Sequence, residues 1–203
     1  MPSLKLAVVL FDRVNFLDFL GPVEQLGFLQ QPRPSTDIET DRVTVSIEYL
    51  GPTRDPIKPD RGPAVLVDRA YDEVGEDERF DILLVPGGTL RYAPYCTTTR
   101  LWQYMHQWFC YYYISSINQL YCNFSKGMGT RPNIRPPSVI DFIRRQAQCA
   151  KYILSVCTGS WLLADAGVLD GKRATSNKAA FRNVKVSLPA YLPTGDMATS
   201  ALV

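Results

Sequence analysis

Histidine is almost absent from this sequence, and cysteine never occurs as a CxxC pair. The single histidine is His106, and the five cysteines stand at positions 96, 110, 122, 149 and 157. These spacings fit neither a zinc site nor an even-numbered disulfide framework. A nucleotide-binding glycine loop and other cofactor fingerprints are lacking too. We therefore expect reduced thiols, no metal and no cofactor.

Neither positive nor negative charge is in large excess. The chain carries 22 basic and 20 acidic residues, spread along its length, for a formal net charge of +2. A chain with this balance of charges lacks the clustered basic residues with which proteins bind nucleic acid. Residues 1–5 lead directly into an apolar strand without the features of a secretory signal. We expect a cytoplasmic protein whose partner is a small-molecule substrate, not nucleic acid or membrane.

One stretch, residues 101–124, contains no Asp, Glu, Lys or Arg but is rich in aromatic residues. A membrane span is one alternative for such a segment. Its many polar groups, among them Gln103, Asn118 and Asn123, argue against a lipid-facing helix. The composition is foreign to the rest of the chain.

Strand and helix patterns alternate outside that stretch. Apolar or alternating runs predict strands at 4–11, 42–50, 80–88 and 151–156, and helical spacing predicts helices at 18–29, 138–148 and 158–166. This order implies right-handed βαβ crossovers. The expected fold is α/β, a flavodoxin-like open parallel sheet with helices on both faces. After Arg182 the periodicity is lost, so we expect the sheet to be incomplete at the C-terminus.

Cys157 follows a predicted buried strand and precedes a predicted helix, in the run Ser155-Val156-Cys157-Thr158-Gly159-Ser160. Backbone N–H groups at the start of that helix would favour the thiolate, which is the nucleophilic form of cysteine. The alternative is that Cys157 is a small buried hydrophobic residue, as most unpaired cysteines are. The spacing alone leaves both interpretations open.

Three blocks of the chain together resemble the ThiJ/PfpI superfamily, which is class I glutamine amidotransferase-like. They are residues 15–24 (NFLDFLGPVE), 81–88 (DILLVPGG) and 155–160 (SVCTGS), the last continuing through 169–175 (LDGKRAT). The Cys-Thr-Gly elbow with Asp-x-x-Gly-Pro is similar to the isonitrile hydratase branch and to sensor-like domains fused to AraC-type regulators. The protease-like branch instead has histidine after the cysteine.

The resemblance implies roles for four residues. Cys157 would be the nucleophile, Asp18 the carboxylate that handles protons, and Thr158 and Gly88 would complete an anion-binding turn. Asp18 has a second interpretation as a helix N-cap. Related branches often have a histidine where this sequence has Asn177.

Two departures from the family pattern are visible. About 38 residues, 89–126, intervene where the family passes almost directly from Pro-Gly-Gly to a segment like 127–132, and the family continues beyond the point where this chain ends. We interpret 1–203 as a single domain with a foreign insertion at about 89–126 and an irregular tail at 183–203. Translation of a retained intron would explain the insertion, so the chain is interpreted as a damaged or misspliced version of the domain.

Three functions remain open from the sequence. The first is a cysteine-dependent, isonitrile hydratase-like lyase that adds water to a small electrophilic substrate. The second is a non-catalytic small-molecule or redox-sensing module, and the third is an inactive product of a misspliced or degenerate gene. The resemblance implies a homodimer for an intact relative, an expectation that does not extend to a chain lacking part of its sheet.

Overall fold

The computed structural model describes residues 3–27, 43–88, 90–91, 125–127, 129–131, 134–176 and 192–193. The chain forms two compact units. The first combines Met1–Thr89 with Gly127–Val203, and the second is Leu90–Lys126.

The first unit holds most of the regular structure, an alternation of strands and helices. The strands are β1 (Ser3–Val9), β2 (Thr44–Gly51), β3 (Arg69–Ala70), β4 (Ile82–Val85), β5 (Leu90–Arg91), β6 (Ser125–Gly127), β7 (Tyr152–Ser155), β8 (Arg173–Ala174) and β9 (Leu192–Pro193). The helices are α1 (Phe16–Gly27), α2 (Pro137–Ala147) and α3 (Gly159–Asp165), with a 3₁₀ turn at Tyr71–Glu73. Strands β5 and β6, at the two ends of the second unit, pair with each other.

The central sheet has five strands in the order β3-β2-β1-β4-β7, and every pair is parallel. From β1 the chain crosses through α1 to β2 on one side, and from β4 it crosses through α2 to β7 on the other side. Right-handed crossovers in opposite directions place their helices on opposite faces of a sheet. The flavodoxin-like parallel sheet expected from the sequence is confirmed.

The burial of the strand residues agrees with a sheet that is covered by helices on both faces. Four consecutive residues of β1, from Leu6 to Val9, are completely buried, and so are Leu83, Leu84 and Val85 of β4. Helix α2 faces this core with Val139, Ile140, Phe142 and Ile143. Continuous apolar runs in the sequence therefore correspond to strands covered on both sides.

Element boundaries differ slightly from the sequence expectation. Helix α1 begins at Phe16 instead of residue 18 and ends at Gly27. Asp18 thus lies inside the first turn, and the N-cap interpretation of this residue is wrong. At the end of α3, Gly167 has φ +78° and its N–H donates to the carbonyl of Ala164 at 2.9 Å, as a C-terminal glycine does.

The segments that broke the pattern of the sequence fall mostly beyond the described residues. Residues 101–124 lie outside them, and so does most of the tail 183–203. From that tail, Leu192–Pro193 pairs in parallel with Arg173–Ala174. Across the described ranges, no helix is long and apolar enough to cross a membrane.

Candidate active site

The candidate site lies where the chain order of the sheet reverses. Strand β1 has β2 on one side and β4 on the other, so the crossovers that leave β1 and β4 diverge. Such a switch point opens a crevice at the carboxyl ends of the strands. Asp18 follows β1, Gly87 and Gly88 follow β4, and Cys157 follows β7. The fold therefore collects the residues proposed from the sequence at one edge of the sheet.

Asp18 is a buried carboxyl with several hydrogen-bond donors around it. Only 7% of the residue is exposed. The Gly87 N–H donates to Oδ2 at 3.1 Å, and Asn15 Nδ2 donates to Oδ1 at 2.7 Å. The Cys157 thiol also hydrogen bonds to this carboxyl. Burial raises the pKa of Asp18 to about 6, although these hydrogen bonds counteract part of the effect.

Cys157 occupies a left-handed backbone conformation with φ +57°. A side chain is disfavoured there, so the turn must be held by its surroundings. Several hydrogen bonds hold it. Val156 N–H donates to the carbonyl of Val85 at 3.1 Å, Gly159 N–H donates to the carbonyl of Val156 at 2.9 Å, and the Ser160 hydroxyl donates to the carbonyl of Cys157 at 3.2 Å. The sharp turn leaves Cys157 partly exposed between a strand and the helix that follows.

Two glycines allow the backbone segments to approach one another. A methyl group at Gly159 would lie 2.1 Å from the carbonyl oxygen of Val85. At Gly87 it would lie 2.7 Å from Thr158 N and 2.8 Å from Asp18 Oδ2. These distances exclude a side chain at either position without movement of backbone. The close approach brings the turn after β4 against the turn after β7.

Gly88 and Thr158 are joined directly. The Gly88 N–H donates to Thr158 Oγ1 at 3.0 Å, and Thr158 is fully buried. Both amides of the Gly87–Gly88 turn thus have protein partners, Asp18 and Thr158. The turn is also tied to the loop before α1, because Asn15 N–H donates to the carbonyl of Gly87 at 2.8 Å.

The structure brings the four residues proposed from the sequence, Asp18, Gly88, Cys157 and Thr158, into one connected cluster. The sequence reasoning missed Asn15, although its position three residues before Asp18 near a helix start is a usable signal. His106 and Asn177 lie outside the described residues. Within the described part of the chain, no group of three or more His, Cys, Asp or Glu side chains could hold a metal ion.

Comparison with known proteins gives one family match. The model described as "DJ-1/PfpI family" matches residues 4–108 and 127–200. The matched range reaches further into the tail than the resemblance drawn from the motifs. It also includes residues 89–108 of the predicted insertion and leaves out only residues 109–126.

Among curated proteins, the chain is similar to isonitrile hydratase of Pseudomonas putida. The two are 51% identical over 53 residues, which is 26% of this chain and 23% of the hydratase. Among solved structures, a ThiJ/PfpI family protein from Pseudomonas syringae has a TM-score of 0.60 at 18% identity, with 100% of this chain and 61% of that chain covered. Schizosaccharomyces pombe DJ-1 has a TM-score of 0.58 at 15% identity, with coverages of 98% and 80%.

The two structural similarities establish the fold. The chain spans less than a quarter of the hydratase that it matches and under two thirds of the Pseudomonas syringae protein.

Proposed function

Because the chain belongs to the DJ-1/PfpI family, we propose that it acts as a cysteine-dependent hydratase on a small electrophilic carbon such as that of an isonitrile. One observation carries the proposal. A cysteine at a strained turn shares a hydrogen bond with a buried carboxyl whose pKa is about 6. Covalent catalysis of this kind requires at least a nucleophile and, in contact with it, a group that accepts and returns a proton.

The Cys157–Asp18 pair would hold one mobile proton between them. In the resting state the thiol donates to the carboxylate. Transfer of that proton to Asp18 generates the thiolate, and the raised pKa of Asp18 makes the transfer less costly than it would be to an ordinary carboxylate. The product of this transfer, a thiolate beside a neutral carboxylic acid, is the reactive form.

The proposed addition takes place in two stages. The thiolate attacks the isonitrile carbon while Asp18 protonates that carbon, giving a thioformimidate, Cys–S–CH=N–R, and a carboxylate. Water then adds across the C=N bond, with its oxygen on carbon and one proton on nitrogen. Collapse to the N-substituted formamide expels the thiolate, and the hydroxyl proton passes to Asp18. The pair returns to its starting state, so each turnover consumes one isonitrile and one water.

Thr158 and Gly88 have supporting roles in this proposal. Thr158 is the residue after the nucleophile, and its N–H is a donor for negative charge that develops beside the sulfur. Its hydroxyl accepts the Gly88 N–H, which fixes the turn after β4 relative to the elbow. Asn15 and Gly87 hold the Asp18 carboxyl towards Cys157 through the hydrogen bonds described above.

The test is formation of a formamide from a small alkyl isonitrile, followed by proton NMR. We expect Cys157→Ala to reduce turnover to the uncatalysed background. Asp18→Asn removes the proton carrier and should lower kcat by roughly 10²–10⁴-fold.

Cys149→Ala is the matched control, since Cys149 is an exposed cysteine that precedes β7, whereas the elbow follows the other end of that strand. It should retain wild-type turnover. Equal turnover by wild-type protein and Cys157→Ala would refute the proposal.

A further inference from the structure

Arg135 is a buried charged residue that the proposed reaction does not use. Its guanidinium pairs with Asp165 in the last turn of α3, and the two side chains are only 8% and 13% exposed. Arg135 Nη1 also donates to the carbonyl of Thr130 at 2.7 Å. One side chain thus connects the helix that begins at the cysteine elbow with the segment 129–131.

That segment lies against the loops that carry the site. A methyl group at Gly88 would lie 2.8 Å from Gly129 N and 3.2 Å from Thr130 N. A methyl group at Gly129 would lie 2.8 Å from the carbonyl oxygen of Asp12 and 2.9 Å from that of Arg13. Residues Gly129–Thr130, which we call the wedge, therefore pack between the turn after β4 and the loop that leads to Asp18.

Among the described residues, few hydrogen bonds hold the wedge in place. Thr130 is fully buried, yet its hydroxyl has no hydrogen-bond partner among the described residues. An unsatisfied buried hydroxyl opposes burial of the segment. The bond from Arg135 to the Thr130 carbonyl supplies the anchor. Burial lowers the pKa of Arg135 to about 10, so the guanidinium remains charged near neutral pH and keeps its pairing with Asp165.

We propose that Arg135 is a positioning residue for the active site: by anchoring the wedge to α3, it presses the Gly87–Gly88 turn onto Asp18 and Thr158. The inference rests on the proposed role of the Cys157–Asp18 pair. Without the anchor, the wedge can withdraw from Gly88, and the two amides of the turn lose the constraint that keeps them on their acceptors. Misplacement of about 1 Å in such a cluster can cost 10²-fold in rate.

The experiment uses the double variant Arg135→Met with Asp165→Leu. Removal of Arg135 alone would leave a buried carboxylate uncompensated and could unfold the protein, whereas apolar replacement of a whole buried ion pair is often neutral for stability. We expect the double variant to unfold within a few degrees of wild type. Hydrogen exchange at the Gly87 and Gly88 amides should become at least about tenfold faster, while exchange in β1 stays unchanged.

In the isonitrile assay, the same variant should lose at least about tenfold in kcat, with KM changed less than about threefold. Arg54→Met is the control, because Arg54 forms an exposed ion pair with Glu73. It should change neither amide exchange at the turn nor turnover.

Hydrogen exchange separates the failure of this inference from that of the proposed function. Unchanged exchange at Gly87 and Gly88 in the double variant would overturn the positioning role, whatever the activity. Unchanged kcat in the folded double variant would overturn it as well. If the wild-type protein hydrates no isonitrile, the proposed function fails, and the exchange rates still decide whether Arg135 holds the turn.

Discussion

Cys157 adopts a backbone conformation that suits glycine better than any residue with a side chain. At φ +57°, a Cβ atom costs about 1–2 kcal/mol. The protein keeps a cysteine there in spite of the cost, which is the pattern found where strain serves a site. The strain belongs to the backbone, so it can be measured separately from the chemistry of the thiol.

We expect Cys157→Gly to be more stable than Cys157→Ala by about 1 kcal/mol in urea unfolding. At ordinary positions alanine is at least as stabilising as glycine, because glycine loses more entropy on folding. Cys149, which is exposed and is not among the residues with positive φ, provides the comparison. There the order should be reversed, with Cys149→Ala at least as stable as Cys149→Gly. A more stable alanine at position 157 would contradict the argument.

Protonation of Asp18 favours the folded state, so this residue makes the protein more stable at low pH, whereas most carboxyl groups make it less stable there. Its pKa rises from 3.8 in the unfolded chain to about 6 in the fold, so the folded state binds the proton more tightly. The stabilisation from this proton is complete below pH 3.8 and is lost as the pH rises through about 6. The shift corresponds to about 3 kcal/mol.

The unfolding free energy of wild type minus that of Asp18→Asn should therefore fall by about 2–2.5 kcal/mol between pH 4 and pH 7. Urea titrations of both proteins across that range measure the difference directly. Taking the difference removes the contributions of Glu73, Glu78 and Asp81, whose lowered pKa values act in the other direction and are common to both proteins. A constant difference would show that Asp18 has an ordinary pKa.

At the scale of elements, the site depends on backbone segments that touch without side chains between them. Gly159→Ala places a methyl group 2.1 Å from a backbone oxygen of β4, an atom that cannot rotate away. We expect a loss of roughly 1–3 kcal/mol or more in unfolding free energy. Gly27→Ala, at the end of α1, has no atom of the described residues within 4 Å of the new methyl group and should not lower the stability. Equal effects of the two changes would contradict the packing described.

The strands and helices were accessible from the sequence because their signals are local. Apolar runs predicted β1 and β4, and helical spacing predicted α2. The cluster of Asp18, Gly88, Cys157 and Thr158 was accessible through family motifs, and the switch point of the sheet explains why these positions meet. Their roles in a reaction stay a prediction.

Other features could not be read from local patterns. The contact of Gly129 with Gly88 joins residues separated by the second compact unit, and no periodicity reports it. The pairing of Arg135 with Asp165 looks like two ordinary surface charges in the sequence. Its burial follows only from the packing of α2 and α3. Likewise, the pKa of Asp18 depends on burial that a motif does not encode.

At the scale of the molecule, the segment Leu90–Lys126 forms a compact unit of its own, and its ends pair as strands β5 and β6. Paired strands lie about 4.8 Å apart, so the segment enters and leaves through neighbouring points. The segment roughly doubles the number of residues that connect β4 to β7. A connection twice as long costs only about 0.6 kcal/mol more in loop-closure entropy. We propose that this segment interrupts one domain and is dispensable for its fold, although the family model matches its residues 90–108.

A deletion variant that joins Thr89 to Gly127 should therefore fold, with an unfolding free energy within about 1 kcal/mol of the full chain. Circular dichroism and urea unfolding test this expectation. An insoluble or unfolded deletion variant would show that the segment is part of the fold. Transcripts sequenced across codons 85–132 test the separate hypothesis of a retained intron, which expects a dominant form lacking codons from about 89 to 126.

Strand β4 pairs with β1 on one side and β7 on the other. During translation, these two partner strands are synthesised at different times relative to β4. Its first partner is made long before it, but its second partner leaves the ribosome only after Leu90–Lys126 has been translated. At a synthesis rate of about 5–20 residues per second, translation of that segment adds roughly 2–7 seconds during which one edge of β4 has no partner strand. The Ile-Leu-Leu-Val strand is apolar and open to pairing with other chains in that interval. Yield of soluble protein should therefore depend on translation speed more strongly in the full chain than in the deletion variant.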